Sequence, residues 1–163
     1  MLIFRKATAN DANAITTLYQ ELATKSPVDI LPERITEIAE DPNTYLIICE
    51  DDKVILATAL LTLCNDVMFR RQPFAVIENF IVNKEFQRKN IGKSLMRYIE
   101  KICRERDCSK IMLLSNTENR GAHTFYIATG YNSDAKVGFI KYRRYFETNL
   151  IQEETSCGSL VQE

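Results

Sequence analysis

Between residues 75 and 104 the chain passes from an apolar, β-branched run, through a basic loop, into an amphipathic helix, and that order restricts its fold more than any other feature. Ala75-Val76-Ile77-Glu78-Asn79-Phe80-Ile81-Val82 has the composition of a buried strand, interrupted by one carboxylate at Glu78. Gln87-Arg88-Lys89-Asn90-Ile91-Gly92-Lys93-Ser94 follows, and Ile91, Leu95, Met96, Ile99, Ile102 and Cys103 then recur at helical spacing. A helix start offers unpaired backbone N–H groups and the positive end of the helix dipole, so the loop predicts an anion site. Gly92 permits close approach, Asn90 enters the left-handed region readily, and Arg88, Lys89 and Lys93 add positive charge. The same residues also fit an ordinary basic turn that caps a surface helix. The familiar nucleotide fingerprints do not match: there is no Gly-x-Gly-x-x-Gly, and Gly92-Lys93-Ser94 has Gln87 where a P-loop needs its first glycine.

The rest of the composition narrows the partners. A length of 163 residues suits one domain, expected over 1–150, with the polar stretch 151–163 as a flexible tail. With 21 Lys+Arg against 22 Asp+Glu, no global field draws the chain to nucleic acid or to a membrane, so any anion site is local. Five cysteines form no Cys-x-x-Cys pair, and no metal-ligand spacing is present, so neither a disulfide framework nor a metal is expected. No apolar run reaches the length of a membrane span and Met1 to Lys6 is too short for a signal peptide; the expectation is a reduced, cytoplasmic protein.

Periodicity and turn residues supply the remaining elements. Leu2 to Lys6 reads as a strand, and Asn10 or Asp11 can cap a helix striped by Ala14, Ile15, Leu18, Tyr19 and Leu22. A second helix starts near Pro32 and stops at Asp41-Pro42. Tyr45 to Glu50 and Val54 to Leu63 flank Asp51-Asp52-Lys53 as a hairpin. Lys110 to Ser115 is a further short strand, and a short helix runs to about Ala128, ended by Gly130. Phe139 to Phe146 is read as the last strand. The fold class is therefore α/β, with a mixed, mostly antiparallel central sheet and flanking helices in the order βααβββαβαβ.

Two stretches carry a family resemblance. Gln87-Arg88-Lys89-Asn90-Ile91-Gly92 resembles the Gln/Arg-x-x-Gly-x-Gly/Ala signature of the GCN5-related N-acetyltransferase (GNAT) superfamily, with Asn90 in place of the first glycine. Asn119, Ala122, Phe125-Tyr126 and Gly130-Tyr131 resemble its second characteristic region. The resemblance implies the acetyltransferase fold, with a parallel strand pair splayed apart at the cofactor site. It implies that acetyl-CoA is the co-substrate, its pyrophosphate held from Gln87 through Arg88, Lys89, Asn90, Ile91, Gly92 and Lys93 to Ser94. Phe80 and Val82 would pair with the pantetheine arm, a backbone N–H near Ile81 would polarise the acetyl carbonyl, and Asn119 would contact the arm.

The chemistry needs a proton acceptor and a proton donor. Freeing the lone pair of a lysine-like amine at pH 7 costs about 4 to 5 kcal/mol, from a gap of roughly three units. Glu78, set in an apolar strand where desolvation could favour its protonated form, is the candidate base, directly or through water; an exposed structural carboxylate is the alternative. Tyr126 is the candidate acid for the departing thiolate, against a core tyrosine. His123 is left out as a solvated or packing residue, and no cysteine has a partner that would make it a nucleophile. Tyr19, Leu22, Asn65 and Phe69 come from segments expected to border the acceptor cleft. The expected activity is transfer of acetyl from acetyl-CoA directly to an amine, with a small metabolite preferred over a protein or peptide amine. The competing classes are a non-catalytic acyl-CoA-binding sensor or scaffold and a nucleotide-binding protein, with RNA binding by Tyr142 to Phe146 weaker still. A homodimer is expected only from the family.

Overall fold

Asp52 and Lys53 both take positive φ, 46° and 65°, which makes the two-residue turn whose twist suits an antiparallel hairpin. It joins β2 (Thr44–Asp51) to β3 (Val54–Cys64). The structure is a computed structural model that describes residues 1–23 and 27–146. It divides into two units, residues 1–131 and residues from 132 onward.

The first unit is built on a five-stranded sheet in the order β1-β2-β3-β4-β5, with β1 at Ile3–Lys6, β4 at Phe74–Val82 and β5 at Ile111–Leu113. Every neighbouring pair is antiparallel except β4 and β5, which run parallel. A parallel pair needs a crossover, supplied here by helix α3 (Ile91–Glu105). β2 shows why both faces of the sheet are covered. Ile47 and Cys49 point into one core with Leu95, Met96, Ile99 and Cys103 of α3. Leu46 and Ile48 point into the other, with Ile15 of α1 (Ala12–Leu22) and Ile35 of α2 (Pro32–Glu40). Alternation along one strand thus sorts the helices into two layers.

The helix ends follow local chemistry. Asp11 immediately precedes α1 and its carboxylate accepts from the Thr8 backbone N–H at 2.7 Å and the Thr8 hydroxyl at 3.0 Å. Arg5 reaches the same carboxylate with both terminal nitrogens, at 2.8 and 3.0 Å, and also bonds Glu50, so β1, β2 and α1 are tied at one corner. At the far end of α3, Asp107 takes φ of 55° and Cys108 N–H donates to the Cys103 carbonyl at 2.8 Å, a left-handed helix stop. Helix α4 (Arg120–Ala128) closes the unit.

The second unit corrects one expectation. Phe139 to Phe146 is not a strand: the described residues end in a 3-10 turn at Arg143–Tyr145. Tyr145 N–H donates to the Tyr142 carbonyl at 2.8 Å and Phe146 N–H to that of Arg143 at 3.0 Å, so local bonds take donors that a ladder would use. The Arg144 guanidinium lies over the rings of Tyr142 and Tyr145, at 5.4 and 4.9 Å, which favours the curled chain over an extended one. The expected domain end at residue 150 and the tail 151–163 lie outside the described residues.

Candidate functional site

The site grows from an irregularity in β4. Thr58 pairs with Ile81 and Leu60 with Glu78, so Ala59 faces two residues, Asn79 and Phe80. Asn79 takes φ of 51°, the left-handed geometry that glycine usually supplies in this kind of bulge. On the other edge, pairing with β5 stops at Ile77 and Leu113. From Glu78 onward β4 therefore has a neighbour on one side only, which is the splayed parallel pair. Asn83 N–H donates to the Leu56 carbonyl at 2.9 Å. Counting back along the antiparallel ladder, Ile81 also turns its backbone to β3, and Val82 and Phe80 turn theirs to the open side.

The basic loop follows directly. Arg88 and Asn90 take φ of 61° and 63°, and alternating left-handed residues of this kind make backbone N–H groups converge. Asn90 caps α3 without a side-chain bond, and Ser94 N–H to the Asn90 carbonyl, at 3.0 Å, is the first bond of the helix. The N–H groups of Ile91, Gly92 and Lys93 are thus without intrahelical partners. A side chain on Gly92 would meet Val82 Cγ2 at 3.3 Å and the Phe125 ring at 3.4 Å, so glycine lets the helix start sit against the strand end. Gln87 has a bracing bond, donating from Nε2 to the Val82 carbonyl at 3.1 Å. Lys89 rests its ammonium over the Phe86 ring at 4.8 Å.

An aromatic group closes the open side. Phe80 lies 5.7 Å from Phe125 and 6.2 Å from Tyr126 between ring centres, and Tyr126 lies 6.0 Å from Tyr131. Burial pushes the Tyr126 phenol above its ordinary value, and the negative charge of Glu78 adds to the rise. The two residues are therefore close enough to interact. Glu78 itself is exposed, so the desolvation implied by its apolar run is absent: the bulge and splay turn that stretch of strand outward. Asn119 caps α4 through Oδ1, which accepts from Ala122 N–H at 3.1 Å and leaves its NH2 free of that bond. His123 Nε2 sits 2.9 Å from the Asn116 carbonyl, a local contact. No group of three or more His, Cys, Asp or Glu able to hold a metal occurs among the described residues.

The model of the acetyltransferase (GNAT) family matches residues 12–131. The chain belongs to this family. Several solved structures share the GNAT fold. Glucosamine-6-phosphate N-acetyltransferase from Arabidopsis thaliana is 21% identical, with 88% of this chain and 99% of that one covered and a TM-score of 0.74. The aminoglycoside N-acetyltransferase AAC(6')-Iy in complex with CoA is 18% identical over 88% and 95%, TM-score 0.74. A transcriptional regulator from Bacillus halodurans is 21% identical over 87% and 100%, TM-score 0.77. No curated protein sequence matches.

Within this GNAT domain the structure brings Phe80, Val82, Gln87 to Ser94, Glu78 and Tyr126 to one end of β4. Phe69 goes elsewhere. It borders a surface hollow with Arg70, Arg71, Gln72 and Asp107, before β4 begins and after α3 ends. Sequence reasoning missed the bulge at Asn79 and the ring of Phe125 over Gly92. A one-residue mismatch between two strands leaves no pattern in either strand alone; the Asn at position 79, tolerant of positive φ, is the only local sign. No helix among the described residues is long and apolar enough to cross a membrane.

Proposed function

We propose that this acetyltransferase transfers the acetyl group of acetyl-CoA directly to the amine of a small molecule. The observation that carries the reading is the meeting, at the end of β4, of converging amides from Arg88 to Lys93, an open strand edge at Phe80 and Val82, and the neighbouring pair Glu78 and Tyr126. The donor set fits a CoA thioester: a helix start with Arg88, Lys89 and Lys93 suits a pyrophosphate, and an unpaired strand edge suits an amide-bearing arm. When bound, acetyl-CoA supplies an activated acetyl group and a thiolate leaving group.

The chain's own residues do the rest. Backbone groups of Phe80 and Val82 orient the arm, and the bulge directs a backbone N–H toward the carbonyl that must be polarised. Glu78, exposed at the splay, attracts an incoming ammonium and accepts its proton directly or through water. Tyr126 keeps its proton well past neutral pH because its phenol is pushed up, so its O–H stays available to the departing sulfur. Small amines are preferred because nothing in the chain specifies a peptide groove, and two GNAT structures of the same fold act, by their names, on an amino-sugar phosphate and on aminoglycosides.

Calorimetric titration with acetyl-CoA, with ATP and NAD as controls, tests the cradle: saturable binding of acetyl-CoA alone is expected. Thiol release is then measured across a panel of small amines and peptides. Acceptor-dependent release that falls in Glu78→Gln and Tyr126→Phe supports catalysis. Binding without such release would leave an acyl-CoA-binding module.

A further inference from the structure

We propose that Gln87 is a positioning residue that fixes the two halves of the acetyl-CoA site against each other: its carboxamide ties the open end of β4 to the entrance of the amide cradle and takes no part in holding the pyrophosphate. The inference rests on the reading of this region as the acetyl-CoA site. Gln87 donates from Nε2 to the Val82 carbonyl at 3.1 Å. Val82 is the last residue of β4 and turns its backbone to the open side, and Gln87 directly precedes Arg88, where the left-handed residues of the cradle begin. The bond therefore joins the strand edge to the cradle.

The intervening chain is folded so that this bond can form. Lys84–Phe86 is a 3-10 turn. Asn83 starts it, accepting at Oδ1 from Glu85 N–H and at its carbonyl from Phe86 N–H, both at 2.9 Å. The turn carries the chain back past the strand end, so a side chain five residues on reaches the Val82 carbonyl. Val82 is thus held at two points. Its Cγ2 faces Gly92, where a Cβ would sit 3.3 Å away, and its carbonyl faces Gln87. The first contact seats the start of α3 on the strand, and the second fixes the loop that leads to it.

The pyrophosphate has other partners. The N–H groups of Ile91, Gly92 and Lys93 belong to α3 and stay in place without Gln87. Gln87 is exposed, so in the free protein its bond competes with water and adds little to folding. A pantetheine arm paired with Phe80 and Val82 excludes that water, and the bond strengthens. A ligand that spans the edge and the cradle gains from having them fixed in advance. A ligand that fills the cradle alone does not.

The test uses Gln87→Met in the full chain, which keeps the length of the side chain and its neutrality and removes the donor, with Gln87→Arg to restore an N–H. Calorimetry measures Kd for acetyl-CoA and for 3′-phosphoadenosine 5′-diphosphate, the half that carries the pyrophosphate without the arm. Gln87→Met should raise the Kd for acetyl-CoA about three- to tenfold and leave that of the nucleotide half within about twofold. Gln87→Arg should return the ratio of the two constants to that of wild type. In the free protein, backbone NMR order parameters of Gln87 and Arg88 should fall in Gln87→Met while those of Gly92 and Lys93 hold. Equal weakening of both ligands would place Gln87 on the pyrophosphate and overturn the proposal, as would unchanged binding of both or order parameters that do not move. If wild-type protein binds no acetyl-CoA, the proposed function fails, and the order parameters alone uphold or overturn the brace.

Discussion

The two halves of β4 have similar composition and opposite tasks. Phe74 to Ile77 pairs with β3 on one side and has β5 along the other, and its alternation buries Ala75 and Ile77 to 0% and 2% exposure. Glu78 to Val82 pairs with β3 alone, carries the bulge, and presents Glu78 and Asn79 to solvent. Neighbours account for the difference, since both halves are rich in β-branched and aromatic residues. A fully paired strand has no backbone groups to offer a ligand. A strand that loses one partner does, and the first half anchors the second so that the loss does not unravel the sheet.

That contrast predicts a separation of stability from activity. Ile77→Ala, in the anchored half, should cost about 2 to 4 kcal/mol in urea unfolding and leave acetyl-CoA affinity within twofold. Comparable loss of affinity would mean that the halves are not separable. Tyr126→Phe, facing the open half, should do the reverse. It should lower kcat about 10- to 100-fold, or ~1.4 to 2.8 kcal/mol at the transition state, with unfolding midpoint and cofactor affinity nearly unchanged. Because the Tyr126 phenol is raised, its protonated donor form persists to higher pH. Any alkaline loss of kcat that Tyr126 causes should therefore fall above pH ~10 and vanish in the Phe variant. A limb near neutral that survives the substitution would belong to another group.

How far the sequence revealed these halves depended on the range of the signal. The hairpin at Asp52-Lys53, the stripe of α3 and the stop at Gly130 are set by residues within a turn or two of each other, so pattern alone located them. Gly92 was read as letting the backbone approach an anion; its packing against Val82 and Phe125 was not legible, because those contacts join distant segments. Glu78 was placed in the correct strand and expected to be desolvated; its exposure depends on where β5 stops pairing, which no residue of β4 encodes. Phe139 to Phe146 failed for the complementary reason. Its aromatic and β-branched residues suit a strand, but a strand needs a partner edge, whereas Arg144 between two tyrosines needs only its own neighbours.

The corner where Arg5 meets Asp11 and Glu50 should respond to acid through its own carboxyl. The Arg5 guanidinium holds the Asp11 carboxyl down at about 2, with the Thr8 bonds adding to it. A depressed folded value contributes stability that is complete above the unfolded value near 4 and is lost as pH falls through about 2. Arg5 is 35% exposed, so solvent screening reduces the contribution to about 1 to 2 kcal/mol. Urea unfolding at pH 6 and pH 2.5 should show that loss in wild type and a smaller one in Asp11→Asn. An equal loss in both would assign the acid sensitivity to other carboxylates.

The smallest expected effect tests the boundary between the halves. At φ of 51°, Asn79 occupies a conformation that costs an alanine about 1 kcal/mol more than a glycine. If the bulge is imposed by the register of β3 and β4, Asn79→Ala must keep that φ and pay its strain, and Asn79→Gly avoids it. The glycine variant should then be more stable than the alanine variant by about 1 kcal/mol in urea unfolding, since both lose the carboxamide equally. If Asn79 adopted this φ only because of its own side chain, the strand would straighten in the alanine variant. Strand entropy would then favour alanine over glycine by about 0.5 to 1 kcal/mol. The sign of the difference therefore reports whether the pairing register or the carboxamide makes the bulge, and with it which of the two directs β4 into the site.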